Sequence, residues 1–77
     1  MERYEVMLGP NSKQLWVYDN VRDAYIDPPA KVLEKLDADF AWDDWEGKED
    51  ALYRMVIQEP DWLNDEEYIY PAEDFEI

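Results

Sequence analysis

The chain has 77 residues, no cysteine, no histidine, twelve aromatic residues (four Trp, six Tyr, two Phe) and a formal net charge of −14. The lack of cysteine excludes disulfides and thiolate metal sites. The charge argues against direct binding to nucleic acid or an anionic membrane, because phosphate binding requires clustered Lys and Arg. Neither a signal-peptide pattern nor an apolar run of about 18 residues is present, so we expect one cytoplasmic domain over residues 1–77.

Two N-terminal runs predict a β-hairpin. Residues 4–8 and 14–18 are rich in β-branched and aromatic side chains. The turn cluster at residues 9–12 separates them. Residues 23–26 are compatible either with a short third strand or with an extended connector.

The clearest helix start is Asp27-Pro28-Pro29. Asp27 suits the N-cap and Pro28 the first helical position. An apolar stripe at helical spacing follows, formed by Ala30, Val32, Leu33 and Leu36. We expect this helix to end between residues 37 and 39.

A second helix is predicted over roughly residues 44–58. Asp43 and Glu46 have the spacing of a capping box, with Asp in place of the usual Ser or Thr; alternatively, Gly47 marks the true start. The predicted core face consists of Ala51, Leu52, Met55 and Val56. Pro60 ends the helix, because it disfavours helical backbone at the preceding residue.

The C-terminal part predicts shorter elements. Residues 60–63 resemble one further helical turn. Residues 68–70 are a short strand candidate, which Pro71 confines to a sheet edge or terminates. The whole pattern predicts an α+β fold: a small single domain with an N-terminal β-hairpin or small sheet, two helices and an acidic C-terminal segment.

The residue types argue against catalysis. The chain has no Cys, His or Thr, its only serine is Ser12, and it has no glycine-rich phosphate loop. Acid–base work by two carboxylates requires a pocket that separates their pKa values, which a domain this small rarely provides. Residues 37–43 space carboxylates like a calcium loop but lack its later ligands and its glycine. We therefore expect no enzymatic activity, no metal and no cofactor.

The negative charge is concentrated in the second half of the chain. Residues 36–77 contain fifteen acidic and two basic side chains, a net charge of −13. A folded domain with many carboxylates on one side approximates the charge density of duplex DNA, about one negative charge per 1.7 Å of axis. Such a surface fits a protein groove that holds nucleic acid. The alternative is a solvated surface that serves only solubility.

Acidic clusters interleaved with tryptophan supply the candidate contacts with a partner. We expect Trp16, Tyr18 and Tyr25 to belong to the core. For the three tryptophans of residues 36–77, a core role is favoured over an exposed contact; they are Trp42, Trp45 and Trp62. A third acidic cluster comprises Glu73, Asp74 and Glu76. The predicted partner-binding residues are Asp37, Asp39, Asp43, Asp44, Trp45, Glu46, Glu49, Asp50, Asp61, Trp62, Asp65, Glu66 and Glu67.

At the level of class, the chain resembles the small acidic inhibitors encoded by phages and mobile elements. These include anti-CRISPR and anti-restriction proteins, some of which mimic DNA. The resemblance rests on size, on net charge and on the carboxylate–aromatic mixture of residues 37–50 and 61–70, and it covers no alignable motif. It implies an inhibitor that binds a basic, nucleic-acid-binding protein or protein complex and blocks nucleic-acid access. Immunity proteins and antitoxins that neutralise basic nucleases share this composition, and a non-inhibitory adaptor is a third interpretation.

Overall fold

Four antiparallel strands form the sheet of this domain. The computed structural model describes residues 2–9 and 14–75. The strands are β1 (Tyr4–Leu8), β2 (Leu15–Asp19), β3 (Ala24–Ile26) and β4 (Ile69–Pro71), in the spatial order β1-β2-β3-β4. The predicted hairpin is confirmed. Of the two alternatives for residues 23–26, the short third strand is the one observed, as β3. Most of the predicted turn between β1 and β2 lies outside the described residues.

Side-chain alternation along the strands gives the sheet two different faces. Val6 of β1 lies opposite Val17, and Val17 lies opposite Ile26 of β3. Val17 and Ile26 are completely buried, with Leu15 beside them. The core therefore lies between this face of the sheet and the two helices.

Two helices cover that face, α1 (Ala30–Asp39) and α2 (Trp45–Val56). The predicted apolar stripes point inward except at Ala30, which is exposed, and Leu36, Leu52 and Val56 are buried. Full burial of one such side chain stabilises the fold by about 1.5–3 kcal/mol. Within the described part of the chain, no helix is long and apolar enough to cross a membrane.

The predicted start of α1 is wrong. The helix begins at Ala30, with Pro29 at the N-cap and no side-chain cap. Asp27 instead accepts a hydrogen bond from Gln14 Nε2 at 2.8 Å. Pro28 is buried in the extended connection before the helix. The Asp27 carboxylate, which local spacing predicts as the helix cap, thus binds Gln14 from a distant part of the sequence instead.

The capping box predicted for α2 is also wrong. The helix begins at Trp45, and its N-cap is Asp44 rather than Asp43. The Asp44 carboxylate accepts a hydrogen bond from the Gly47 N–H at 3.0 Å. A Cβ atom at position 47 would lie 2.6 Å from Asp44 Oδ2, so only glycine leaves the capping carboxylate its space. Gly47 therefore lies inside the first turn instead of starting the helix, and Glu46 takes no part in the cap.

Within the described residues, three 3-10 helices follow α2: Asp61–Asn64, Glu66–Tyr68 and Ala72–Phe75. The first corresponds to the predicted extra helical turn and buries Leu63 in the core. Between the second and third, β4 pairs with β3 and forms the edge strand expected around Pro71. The α+β architecture predicted from the sequence is confirmed.

The aromatic residues of the central strands do not belong to the core, contrary to expectation. Trp16, Tyr18 and Tyr25 are half-buried on the sheet face opposite the helices. The ring centroids of Tyr18 and Tyr25 are 5.1 Å apart, edge to face. Phe75, from the last 3-10 helix, lies 6.0 Å from Trp16 and 5.4 Å from Tyr25. The C-terminal part of the chain thus covers a second, smaller apolar cluster.

A buried carboxylate closes the turn after β2. Asp19 has no exposed surface. Its Oδ1 accepts hydrogen bonds from Arg3 Nε at 3.1 Å and from the backbone N–H groups of Val21 and Arg22 at 2.9 and 3.3 Å. Burial by itself raises the pKa of Asp19, but these hydrogen bonds outweigh it and hold the pKa below its ordinary value. The ionised carboxylate therefore fixes the turn that leads into β3.

Candidate partner-binding surface

An open acidic groove lies between β1 and α2. It has a volume of about 480 Å³. Val6 and Tyr53 are part of its lining, and the other lining residues carry carboxylates. The carboxylate residues that line it are Glu2, Glu5, Glu46, Glu49 and Asp50. No Lys or Arg is among the described residues of this lining.

Helix geometry places three of these carboxylates side by side. Glu46, Glu49 and Asp50 have i, i+3, i+4 spacing and share one side of α2. The other wall comes from β1, against which α2 packs. Tyr53 Oη donates a hydrogen bond to Glu2 Oε1 at 2.8 Å and ties the two walls together. This hydrogen bond to a carboxylate, with a smaller effect of burial, raises the pKa of Tyr53.

The groove carboxylates of α2 approach the charge spacing of nucleic acid. Glu46 and Asp50 are about 6 Å apart along the helix axis, with Glu49 between them. These three carboxylates give about one charge per 2 Å, close to the roughly 1.7 Å of duplex DNA. Glu2 and Glu5 line the other wall of the groove. Among the residues described, no three acidic side chains converge to hold a metal ion.

Among the residues that the structure describes, Asp50 is the only groove carboxylate with a cation partner. Arg54 Nε lies 3.0 Å from Asp50 Oδ2, and both side chains are largely exposed. Exposed ion pairs of this kind contribute little, about 0–1 kcal/mol, and are readily exchanged for another partner. Asp50 therefore remains available to a stronger cation.

Two predicted partner-binding carboxylates act as caps. Asp44 caps α2, and Asp65 accepts a hydrogen bond from the Glu67 N–H at 3.0 Å at the start of the second 3-10 helix. Each satisfies an N–H group that a helix start would otherwise leave unpaired. Their structural role is local, although both side chains remain exposed.

A buried lysine contacts two further residues that were predicted to bind the partner, Asp37 and Trp45. Lys48 is only 6% exposed. Its Nζ lies 3.1 Å from Asp37 Oδ1 and 5.2 Å from the centroid of the Trp45 ring, and it donates to the Trp42 carbonyl at 3.4 Å. Asp37 and Trp45 therefore stabilise the corner between α1 and α2.

The three tryptophans of the acidic half occupy different environments. Trp62 packs against the core, as the favoured interpretation had it. The favoured core role is wrong for the other two tryptophans. Trp45 is 37% exposed, over Lys48. Trp42 is 82% exposed in the loop between the helices, directly before Asp43.

The remaining predicted carboxylates have exposed side chains with no hydrogen bond or ion pair within residues 2–9 and 14–75. They are Asp39, Asp43, Glu46, Glu49, Asp61, Glu66 and Glu67. Glu46 and Glu49 line the groove, whereas the last three follow α2 in the chain and do not. In the third acidic cluster, Glu73 and Asp74 are exposed and Glu76 lies outside the described residues. The structure thus assembles the groove from part of the acidic cluster in residues 37–50 and leaves the cluster in residues 61–67 apart from it.

Sequence reasoning missed Glu2 and Glu5. Both belong to the first 35 residues, whose net charge is only −1. The net charge of that segment therefore does not indicate an acidic site. They join the acidic surface because β1 lies beside α2. The one local signal was Glu5, a charged residue between apolar neighbours in a strand, which indicates a side chain on the solvated face.

Comparison of the chain with protein-family models, with curated proteins and with solved structures found no match.

Proposed function

We propose that this protein is a small acidic inhibitor that binds the basic surface of a nucleic-acid-binding protein and blocks access of the nucleic acid. The observation that supports the proposal is the groove between β1 and α2, which five carboxylates line. Lys and Arg side chains that hold successive phosphates would meet carboxylates at a similar spacing. The long-range attraction would also steer the two proteins together.

An exposed aromatic side chain complements the charge. Trp42 is 82% exposed, and the hydrogen bond from Lys48 to its carbonyl oxygen holds its backbone in place. Aromatic residues contribute a large share of binding energy at protein interfaces, whereas rim charges mainly raise the association rate. We therefore propose that Trp42 supplies binding energy in the complex and that the carboxylates raise the association rate.

The arrangement of the charge favours an interface over a solubilising surface. Carboxylates that serve only solubility lower their mutual repulsion when they lie far apart. Here two separate elements, β1 and α2, bring theirs to the two walls of one groove. The repulsion this creates destabilises the isolated domain and is relieved when a basic surface covers it.

The test uses two charge-reversal variants as bait beside the wild-type protein. Glu46→Lys with Glu49→Lys reverses charge inside the groove, whereas Glu66→Lys with Glu67→Lys makes the same change outside it. All four side chains are exposed, and none has a partner among the described residues, so both variants should fold. Lysate proteins retained by the wild type and by the outer variant, but not by the groove variant, are the candidate targets.

A mobility-shift titration with the isolated target and labelled nucleic acid completes the test. Loss of the shifted band, restored by excess nucleic acid, is the expected result. A supershifted ternary complex would contradict the blocking mechanism. Equal loss of binding in both variants would show that overall charge, not the groove, controls recognition.

A further inference from the structure

The outer edge of β1 carries unpaired backbone groups. β1 is the first strand of the sheet and pairs only with β2 among the described residues. The Gly9 N–H donates to the Gln14 carbonyl at 3.0 Å, and the Asn20 N–H donates to the Arg3 carbonyl at 2.7 Å. These bonds identify the hydrogen-bonded pairs of the ladder, and antiparallel pairs alternate between bonded and non-bonded.

The alternation settles which groups face outward. By this register, every second residue from position 3 exchanges hydrogen bonds with β2 or the residues flanking it. These residues are Arg3, Glu5, Met7 and Gly9. The N–H and C=O groups of the alternate residues of β1 therefore point away from the sheet. Those residues are Tyr4, Val6 and Leu8. Their backbone groups have no partner within the described part of the chain.

The acidic groove runs along this open edge. Val6 belongs both to the edge and to the groove lining. Unpaired strand edges readily accept another strand, and proteins usually block them with proline, lysine or a covering segment. The other edge of the sheet is blocked in this way, because β4 has three residues and ends in Pro71. β1 has five residues, with neither Pro nor Lys.

We propose that the outer edge of β1 accepts an extended basic segment of the partner, which adds to the sheet as a fifth strand beside the carboxylates of α2. The inference rests on the proposed function, because it assumes a basic partner. Peptide binding by strand addition obtains affinity from main-chain hydrogen bonds and specificity from alternate side chains.

The spacing of the added strand matches the groove. Side chains on one face of a strand are about 7 Å apart. Glu46 and Asp50 are about 6 Å apart along the axis of α2. Two Arg or Lys residues at positions i and i+2 of the added strand would therefore each face a carboxylate. A second copy of this chain fits the edge poorly, because it would bring Glu2 and Glu5 against the same acidic residues.

The experiment uses two seven-residue peptides of alternating Arg and Val, acetylated and amidated at their ends. One has an ordinary backbone; the other carries N-methyl groups on its Arg residues. It keeps the charge but lacks the N–H groups that an antiparallel strand with its Arg side chains beside α2 would turn toward β1. We expect fluorescence anisotropy to show at least tenfold weaker binding of the N-methylated peptide. Hydrogen exchange of the Tyr4, Val6 and Leu8 amides should slow when the ordinary peptide binds. The Glu5 and Met7 amides, already bonded to β2, should change little.

A pair of variants at one position tests the same edge from the protein side. Leu8 is 53% exposed and lies outside the core cluster. Leu8→Pro removes an outward N–H without touching the ladder with β2, and Leu8→Ala controls for the lost side chain. We expect tenfold weaker binding of the ordinary peptide for the proline variant only.

The outcomes separate this inference from the proposed function. Equal binding of both peptides, or of neither, overturns strand addition. A dimer of the free protein that Leu8→Pro dissociates would also overturn it, because a second copy would then occupy the edge. The double variant Glu46→Lys, Glu49→Lys gives a different outcome. If it binds the ordinary peptide as well as the wild type does, and the β1 amides are still protected from exchange, the electrostatic function is contradicted. Strand addition at the β1 edge would then still hold.

Discussion

The ammonium group of Lys48 lies 3.1 Å from the Asp37 carboxylate, with the lysine buried and the aspartate 72% exposed. Residues 36–77 contain only two basic side chains, and the other one, Arg54, pairs with Asp50 at 3.0 Å. Both cations of the acidic half therefore neutralise carboxylates of their own chain. The other carboxylates of this half face solvent with no such partner among the described residues.

Reversing charge at Asp37 should destabilise the fold, whereas the same change two residues later should not. Asp37→Lys removes the partner of a buried ammonium and places a like charge beside it. We expect the free energy of unfolding to fall by about 1–3 kcal/mol, the range for a lost hydrogen bond to a charged group. Asp39→Lys, at an exposed position without a partner, should change it by less than about 0.5 kcal/mol. Urea denaturation measures both, and equal effects would contradict the role given to Lys48.

Two adjacent aspartates should differ in their contribution to α2. Asp44→Ala removes the N-cap and should cost about 1 kcal/mol. Asp43→Ala removes the same charge but no hydrogen bond and should be nearly neutral. Thermal unfolding monitored by circular dichroism compares the two. A larger loss for the Asp43 variant would restore the capping box predicted from the sequence.

The buried carboxylate of Asp19 should stabilise the fold in a defined pH range. Its folded-state pKa lies below the ordinary value of 3.8, so its contribution is complete above pH 3.8 and is lost as pH falls through the folded-state pKa. Asp19→Asn should lower the free energy of unfolding at pH 7 by about 1.5–3 kcal/mol. The difference between the variant and the wild type should shrink in acid. A difference independent of pH from 7 to 2 would contradict this assignment.

Asp27 should show the opposite pH dependence. Burial raises its pKa above 3.8, and the hydrogen bond from Gln14 opposes the shift only in part. The stability contribution of this group is therefore present below pH 3.8 and is lost as pH rises through the raised pKa. Asp27→Asn stays neutral and still offers Gln14 an oxygen acceptor. We expect the variant to be more stable than the wild type at pH 7 and equally stable at pH 3, as measured by urea denaturation at both values.

Salt should act in opposite directions on folding and on binding. At 0.5 M salt the Debye length is about 4 Å, which screens repulsion among the carboxylates of a chain with net charge −14. The melting temperature should therefore rise between 20 mM and 0.5 M NaCl. The association rate with the target should fall at least tenfold over the same range, while the dissociation rate changes less. Stopped-flow kinetics gives both rates, and an association rate insensitive to salt would remove the electrostatic basis of recognition.

The elements that sequence predicted correctly are those whose signals are local. The alternation in residues 4–8 and 15–19 and the apolar stripe ending at Leu36 require no knowledge of distant residues. The predicted start of α1 was wrong because a distant contact decided the outcome: the Asp27 carboxylate accepts a hydrogen bond from Gln14, 13 positions away. The capping box of α2 was wrong by one position, because Asp44 and not its neighbour Asp43 is the cap.

The candidate site could be predicted only in part for the same reason. Helical spacing brings together Glu46, Glu49 and Asp50, and this much follows from sequence. The contribution of Glu2 and Glu5 depends on which strand packs against α2, which no local pattern encodes. Alternation along β2 likewise separates Trp16 and Tyr18 from Leu15, but it does not say which set the helices cover.

The pairing of β4 with β3 has a consequence for folding order and for proteolysis. Tyr25 pairs with Tyr70 across a stretch of chain that contains both helices. Closing so long a loop costs more entropy than closing the short turns of the β1–β2–β3 meander, so we expect the meander to form first. Until β4 docks, β3 presents an open edge beside the rings of Trp16 and Tyr25. A cut in the exposed residues 57–59 would release the same surface, and the trimmed protein would be prone to aggregate.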